Sequence, residues 1–223
     1  MDTARFVPPA PEQVRPALTA LVQYAAGEDL NPLIQCAVVH GQFEVSQPFD
    51  DGNGRIGRLL IPLFLFQQKQ IHRPVFYLSE FLEQNREEYY DRLLGISRDG
   101  DWTGWISYFL AAIDHQARLS IGRIDQVWRL YEQKKSRIQE LTRSQYAATV
   151  LDQLFKAPVF SVSRLVDQTT IEPRTANRLL EKLVDGSVLS IDTPGSGRQP
   201  SVYRFGALLD CVGADALPNA ATK

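Results

Sequence analysis

Residues 51–55 read Asp-Gly-Asn-Gly-Arg, and a few residues later comes the chain's longest apolar stretch, Leu59 to Phe66. This junction constrains the fold more than any other feature. Two glycines beside Asp and Asn make a tight loop, and the apolar run behind it reads as a buried central helix over 55–70, kinked at Pro62. Gly52 and Gly54 allow backbone N–H groups to converge on an anion. The helix N-terminus adds unpaired donors and the positive end of its dipole. Arg55 and Arg58 are three apart and share a helix face, where two guanidinium forks suit a polyphosphate. Asp51 is a candidate to hold Mg²⁺ between phosphate oxygens.

Other readings of these residues were weighed. A hairpin needs alternating strands on both sides, and neither flank alternates. A calcium loop from Asp51 needs a carboxylate at its twelfth position, where Pro62 stands. A Walker loop needs Gly-Lys-Ser/Thr. On the residues alone, a phosphate cradle and a plain structural turn both stay open.

The rest of the chain sets the frame. Its 223 residues allow one large domain or two small ones, with 44% hydrophobic content to build a core. A net charge of −2 gives no overall basic field toward nucleic acid. Two cysteines, Cys36 and Cys211, make neither a disulfide framework nor a metal cluster. The expectation is a cytoplasmic protein without a secretory leader or membrane helix. Helices are expected over about 11–26, 32–45, 55–70, a short one from a Ser79 cap, one to about 97, and one from an Asp101 cap onward. After about Thr142 the pattern changes: helices over 145–156, 162–168 and 173–186, then strands over 188–192 and 201–205. Three helices and a hairpin predict a winged helix-turn-helix. The expected fold is therefore mainly α: an all-α domain over 1–142, a small α+β winged domain over 143–206, and a polar tail over 207–223.

Residues 47–58, Gln-Pro-Phe-Asp-Asp-Gly-Asn-Gly-Arg-Ile-Gly-Arg, resemble the Fic family signature His-x-Phe-x-(Asp/Glu)-Gly-Asn-Gly-Arg-x-x-Arg at every defined position except the first. The likeness covers roughly 6–206. It extends to Phe43-Glu44, Leu59-Leu-Ile-Pro, Tyr77-Leu-Ser-Glu, Asn85-Arg-x-x-Tyr-Tyr and Ser97-Arg-Asp-Gly-Asp-Trp, as in Fic proteins with an appended C-terminal winged helix. The resemblance implies an all-α Fic-like domain that uses Mg-ATP to transfer AMP to a hydroxyl of an unidentified target protein. It gives Asp51 the metal, Gly52, Asn53 and Gly54 the phosphate cradle, Arg55 and Arg58 the β- and γ-phosphates, and Phe49 the anchoring of the loop in the core.

Two departures qualify that expectation. Gln47 stands where the family has its catalytic histidine, and an amide has no usable basicity near neutral pH, so impaired transfer is expected. Only five residues precede Phe6, which leaves no room for the family's flap or inhibitory helix. Ser79 to Glu83 begins like the inhibitory motif, but Gln84 breaks it. His40, seven residues before Gln47, is expected to serve helix packing, and His72 and His115 to be structural or exposed.

The alternative reading is a DNA-binding regulator or scaffold that uses the winged helix, with the first domain as nucleotide sensor or silent, and with a homodimer possible. Residues 143–206 hold eight Lys/Arg against six acids. Arg174, Thr175, Asn177 and Arg178 would meet a major groove, and Arg198 at the wing tip a minor groove.

Overall fold

Asn31 and Pro32 show how the sequence starts a helix here. Asn31 lies in extended backbone and its Oδ1 accepts from the Leu33 N–H at 2.8 Å, satisfying an end donor. Pro32 at the first helical position loses nothing by lacking an N–H. The protein is described by a computed structural model over residues 6, 8–27, 31–196 and 199–213. It divides into two units, 1–119 and 120–223.

The first unit contains α1 (Pro11–Ala26), α2 (Pro32–Ser46), α3 (Asn53–Gln67), α4 (Ser79–Gln84), α5 (Arg86–Asp99) and the first part of α6 (Trp102–Thr142). Asp101 caps α6 as expected, its Oδ1 accepting from the Gly104 N–H at 2.9 Å. Ser79 is the first residue of α4 rather than its cap; Leu78 precedes it without a side-chain cap bond. The core centres on Trp105 and Phe109, both fully buried, against Ala37, Phe43, Ile61, Leu65, Leu78 and Leu93. The Trp105 indole N–H donates to the Ala37 carbonyl at 2.8 Å, tying α6 to α2.

Helix α3 corrects one expectation. Ile61, Phe64 and Leu65 face the core, but Leu59, Leu63 and Phe66 are about half exposed. The apolar run therefore covers two faces of a helix packed on one side.

The second unit holds the rest of α6, α7 (Ala147–Lys156), β1 (Val159–Ser161), α8 (Val162–Asp167), α9 (Pro173–Asp185), β2 (Ser190–Thr193), β3 (Val202–Arg204) and α10 (Gly206–Val212). Its antiparallel sheet has the order β1-β3-β2, with Phe160 opposite Tyr203 and Ser190 opposite Arg204. A second core gathers Ile138, Val150, Leu154, Leu165, Leu179, Leu180, Leu183 and Phe205. Val127, Leu130, Tyr131 and Leu141 of α6 also pack there, so the clusters divide within that helix, whereas the sequence pattern changes at its end. Strand β1 and helix α10 were not expected. Leu208 of α10 is buried in the second core, so the region assigned to the tail begins as structured chain. The fold is mainly α. Among the described residues no helix is long and apolar enough to cross a membrane.

Candidate functional site

Helix α2 ends at Ser46, and Gln47 leaves it in the left-handed region at φ 42°, ψ 58°. Few non-glycine residues adopt that conformation, and two hydrogen bonds hold this one. The Gln47 Nε2 donates to the Glu44 carbonyl at 2.7 Å, and its Oε1 accepts from Asn53 Nδ2 at 3.0 Å. The Asn53 amide also clasps Phe49 from both sides, accepting from its N–H at 2.9 Å and donating to its carbonyl at 2.6 Å. Asn53 therefore joins the loop and Gln47 to the first turn of α3.

Phe49 corrects a second expectation. Its ring is half exposed and lies tilted against Phe43, at 6.4 Å between centroids, so the loop is anchored by the Asn53 amide rather than by a buried phenyl.

Gly52 precedes α3 at φ 83°, where a side chain would be strained. The N–H groups of Asn53, Gly54 and Arg55 open the helix and have no carbonyl one turn back to bond. Arg58 lies beside them: a Cβ placed on Gly54 would stand 3.2 Å from its guanidinium. Arg55 extends into solvent and pairs with Asp51 at 3.2 Å, both side chains largely exposed.

These groups line one cavity of about 640 Å³. Gln47, Asp51, Gly52, Asn53, Gly54, Arg55 and Arg58, each singled out in the sequence, all border it. Their placement matches a polyanion in chemistry: free helix-end donors, two guanidinium groups and a small-residue floor. Asp51 offers one carboxylate at the rim. That fits a Mg²⁺ ion held mainly by phosphate oxygens and water, and no cluster of three metal-ligating side chains occurs among the described residues.

Glu44, Arg86 and Tyr90 also line the cavity; the sequence marked them only as part of the family likeness, with no role in the site. The Arg86 guanidinium sits 5.6 Å over the Tyr90 ring. His40 is no proton acceptor toward the cavity. It is fully buried, with Nδ1 3.0 Å from the Gly57 carbonyl and Nε2 3.1 Å from the Tyr89 hydroxyl, and burial pushes its imidazole down to about 4. The sequence shows His40 and Glu44 one turn apart on a mostly apolar helix, which marks a shared face but not the burial of the carboxyl.

In the second unit, Arg174, Asn177 and Arg178 lie exposed on α9 and Thr175 is half-buried. The Asn177 amide donates to the Pro173 carbonyl at 2.9 Å. Arg198 lies outside the described residues.

Residues 1–65 match the Fic/DOC family. A probable protein adenylyltransferase of Aquifex aeolicus is 32% identical over 91 residues, which are 40% of this chain and 26% of that protein. The protein adenylyltransferase fic-1 of Caenorhabditis elegans is 32% identical over 107 residues, 47% of this chain and 20% of that one. The chain thus spans only a minor part of the length of these relatives. A Fic family protein from Desulfovibrio desulfuricans G20 has a similar fold, with a TM-score of 0.51 at 21% identity, covering 89% of this chain and 56% of that one. The loop before α3 and most of α3 itself lie within residues 1–65, the part of this chain that matches the Fic/DOC family.

Proposed function

We propose that the first unit binds Mg-ATP in this cavity on an adenylyltransferase scaffold whose transfer step is impaired at Gln47. The observation that carries this reading is the state of the Gln47 amide. Its N–H is given to the Glu44 carbonyl and its oxygen receives the Asn53 amide, so neither end is a base. Arg55 and Arg58 would hold the terminal phosphates, the N–H groups at the start of α3 would cradle them, and Asp51 would reach Mg²⁺ once it leaves Arg55. The bound nucleotide supplies an adenylyl group: a target hydroxyl oxygen bonds to the α-phosphorus as pyrophosphate leaves. The hydroxyl proton must then be removed, and loss of a general base costs about 10²–10⁴-fold in rate.

Labelled-nucleotide transfer by the native chain and by Gln47→His tests the reading. The expected result is a gain of about 10²-fold or more on restoring the imidazole. Equal, substantial rates in both chains would contradict the impairment.

A second reading, the DNA-binding regulator, draws on the exposed Arg174, Asn177 and Arg178 of α9 in a unit whose helices α7, α8 and α9 and antiparallel sheet suit a winged helix. It expects duplex binding that weakens steeply as salt rises. Absent or salt-independent binding would remove it.

A further inference from the structure

One wall of the cavity carries a carboxyl group that the reading above leaves unused. Glu44 of α2 is only 5% exposed, lines the cavity, and has an Oε1 without a hydrogen-bond partner. The sequence makes room for it. A Cβ on Gly57 would lie 2.0 Å from Oε1 and 2.9 Å from Cδ, so α3 passes this carboxyl only as bare backbone.

Its surroundings are specific. From α3 it feels the positive charge of Arg58, and from α5 it has the Tyr89 hydroxyl as a hydrogen-bonding neighbour. From α2 itself comes His40, held neutral by burial. Around the cavity stand Asp50, Asp51, Arg55, Arg86 and Tyr90.

The hydrogen count in this cluster gives a protonated carboxyl a place of its own. The Gly57 carbonyl can only accept, so neutral His40 donates from Nδ1 and its Nε2 must accept from the Tyr89 hydroxyl. That hydroxyl has one hydrogen, already given to His40. Protonated Glu44 completes the chain by donating to the Tyr89 oxygen, whereas ionised Glu44 competes with His40 for the same hydrogen. Arg58 opposes this by attracting the ionised form, and a hydrogen bond from the Tyr89 hydroxyl favours that form as well. Burial outweighs both and pushes the carboxyl up to about 7.

An anion arriving at Arg58 removes the one nearby charge that favours ionised Glu44. We propose that Glu44 is the proton-accepting member of the anion site: above neutrality its carboxylate faces the charge of Arg58 while the site is empty, and it takes a proton from solvent as the phosphates bind. This rests on the polyphosphate reading of the cavity and adds to it a residue and a coupling. Phosphate and proton enter together, and the phosphates meet the charge of Arg58 that had favoured the carboxylate. Affinity then falls as pH rises through neutrality, by up to about tenfold per pH unit once the empty site has lost its proton.

The test is a calorimetric titration of the native chain with Mg-ATP, magnesium in excess, between pH 6 and 8 in buffers of different ionisation enthalpy. The expected result is uptake of about half a proton at pH 7, more above it and less below. Glu44→Gln should bind with an affinity nearly independent of pH and without that uptake. Binding by the native chain with no proton uptake overturns the proposal and leaves the phosphate site standing. So does a folded Glu44→Gln chain that keeps the native uptake. No binding at any pH by the folded native chain overturns the phosphate site itself, and this proposal with it. The native proton count needs no folded variant to be decisive.

Discussion

At position 47 an amide sits between a backbone carbonyl and another amide, and both of its ends are in use. The residue keeps the loop's shape while lacking the basicity that proton removal requires. Its neighbours His40 and Glu44 make a second residue-scale prediction, because burial moves them in opposite senses. His40 falls from 6.5 to about 4, so as pH drops through that window the unfolded chain takes a proton that the folded chain refuses, and stability declines. Glu44 rises from 4.5 to about 7, so its contribution is fully present below 4.5 and is lost as pH rises through 7. Between 4.5 and 6.5 the two offset each other. In Glu44→Gln only the His40 term remains, and the melting temperature, followed by circular dichroism, should rise from pH 4.5 to 6.5 and then level. The native chain should stay nearly level over that window and then decline toward pH 7.5. Superimposable profiles would contradict the assignment. At this scale the sequence was partly legible. Gln47 and Asp51 to Arg58 could be singled out because their spacing is local. The buried state of Glu44 could not, since it depends on Gly57 and Tyr89, distant along the chain.

Between elements, the tightest constraint is where α2 meets α3. Gly57 lets the helices close over Glu44 and Phe43. Gly57→Ala should destabilise the chain by about 1–3 kcal/mol through overpacking, seen as a lower denaturant midpoint with an unchanged slope. A midpoint within error of the native one would mean that the helices part without cost. Helices α1, α2 and α9 and the β2–β3 hairpin were readable because proline, Asn31 and glycine mark their ends. Two elements escaped. Strand β1 is three residues, too short for alternation to register, and gains its place from pairing with β3. Helix α10 depends on burying Leu208, a tertiary effect. The two-sided apolar run of α3 was misread as burial because composition reports hydrophobicity and not which face is covered.

At the scale of the whole molecule, the described residues form two hydrophobic clusters, one around Trp105 and one around Leu180. Every residue of the candidate phosphate site lies in the first unit, 1–119, with the cluster around Trp105. Leu180→Ala, at a fully buried position of the second, should therefore cost about 2–5 kcal/mol of stability there while leaving Mg-ATP affinity unchanged wherever the chain stays folded. A parallel loss of affinity in the folded variant would contradict that separation. The central claim is that the cavity kept its polyphosphate chemistry although position 47 lacks a base. Calorimetric titration with Mg-ATP, native chain against Arg58→Ala, tests it most directly. The account predicts saturable one-to-one binding that weakens about 10- to 100-fold without the guanidinium, the scale of a charged hydrogen bond. Equal affinity in both chains, or no binding by the folded native chain, would contradict it.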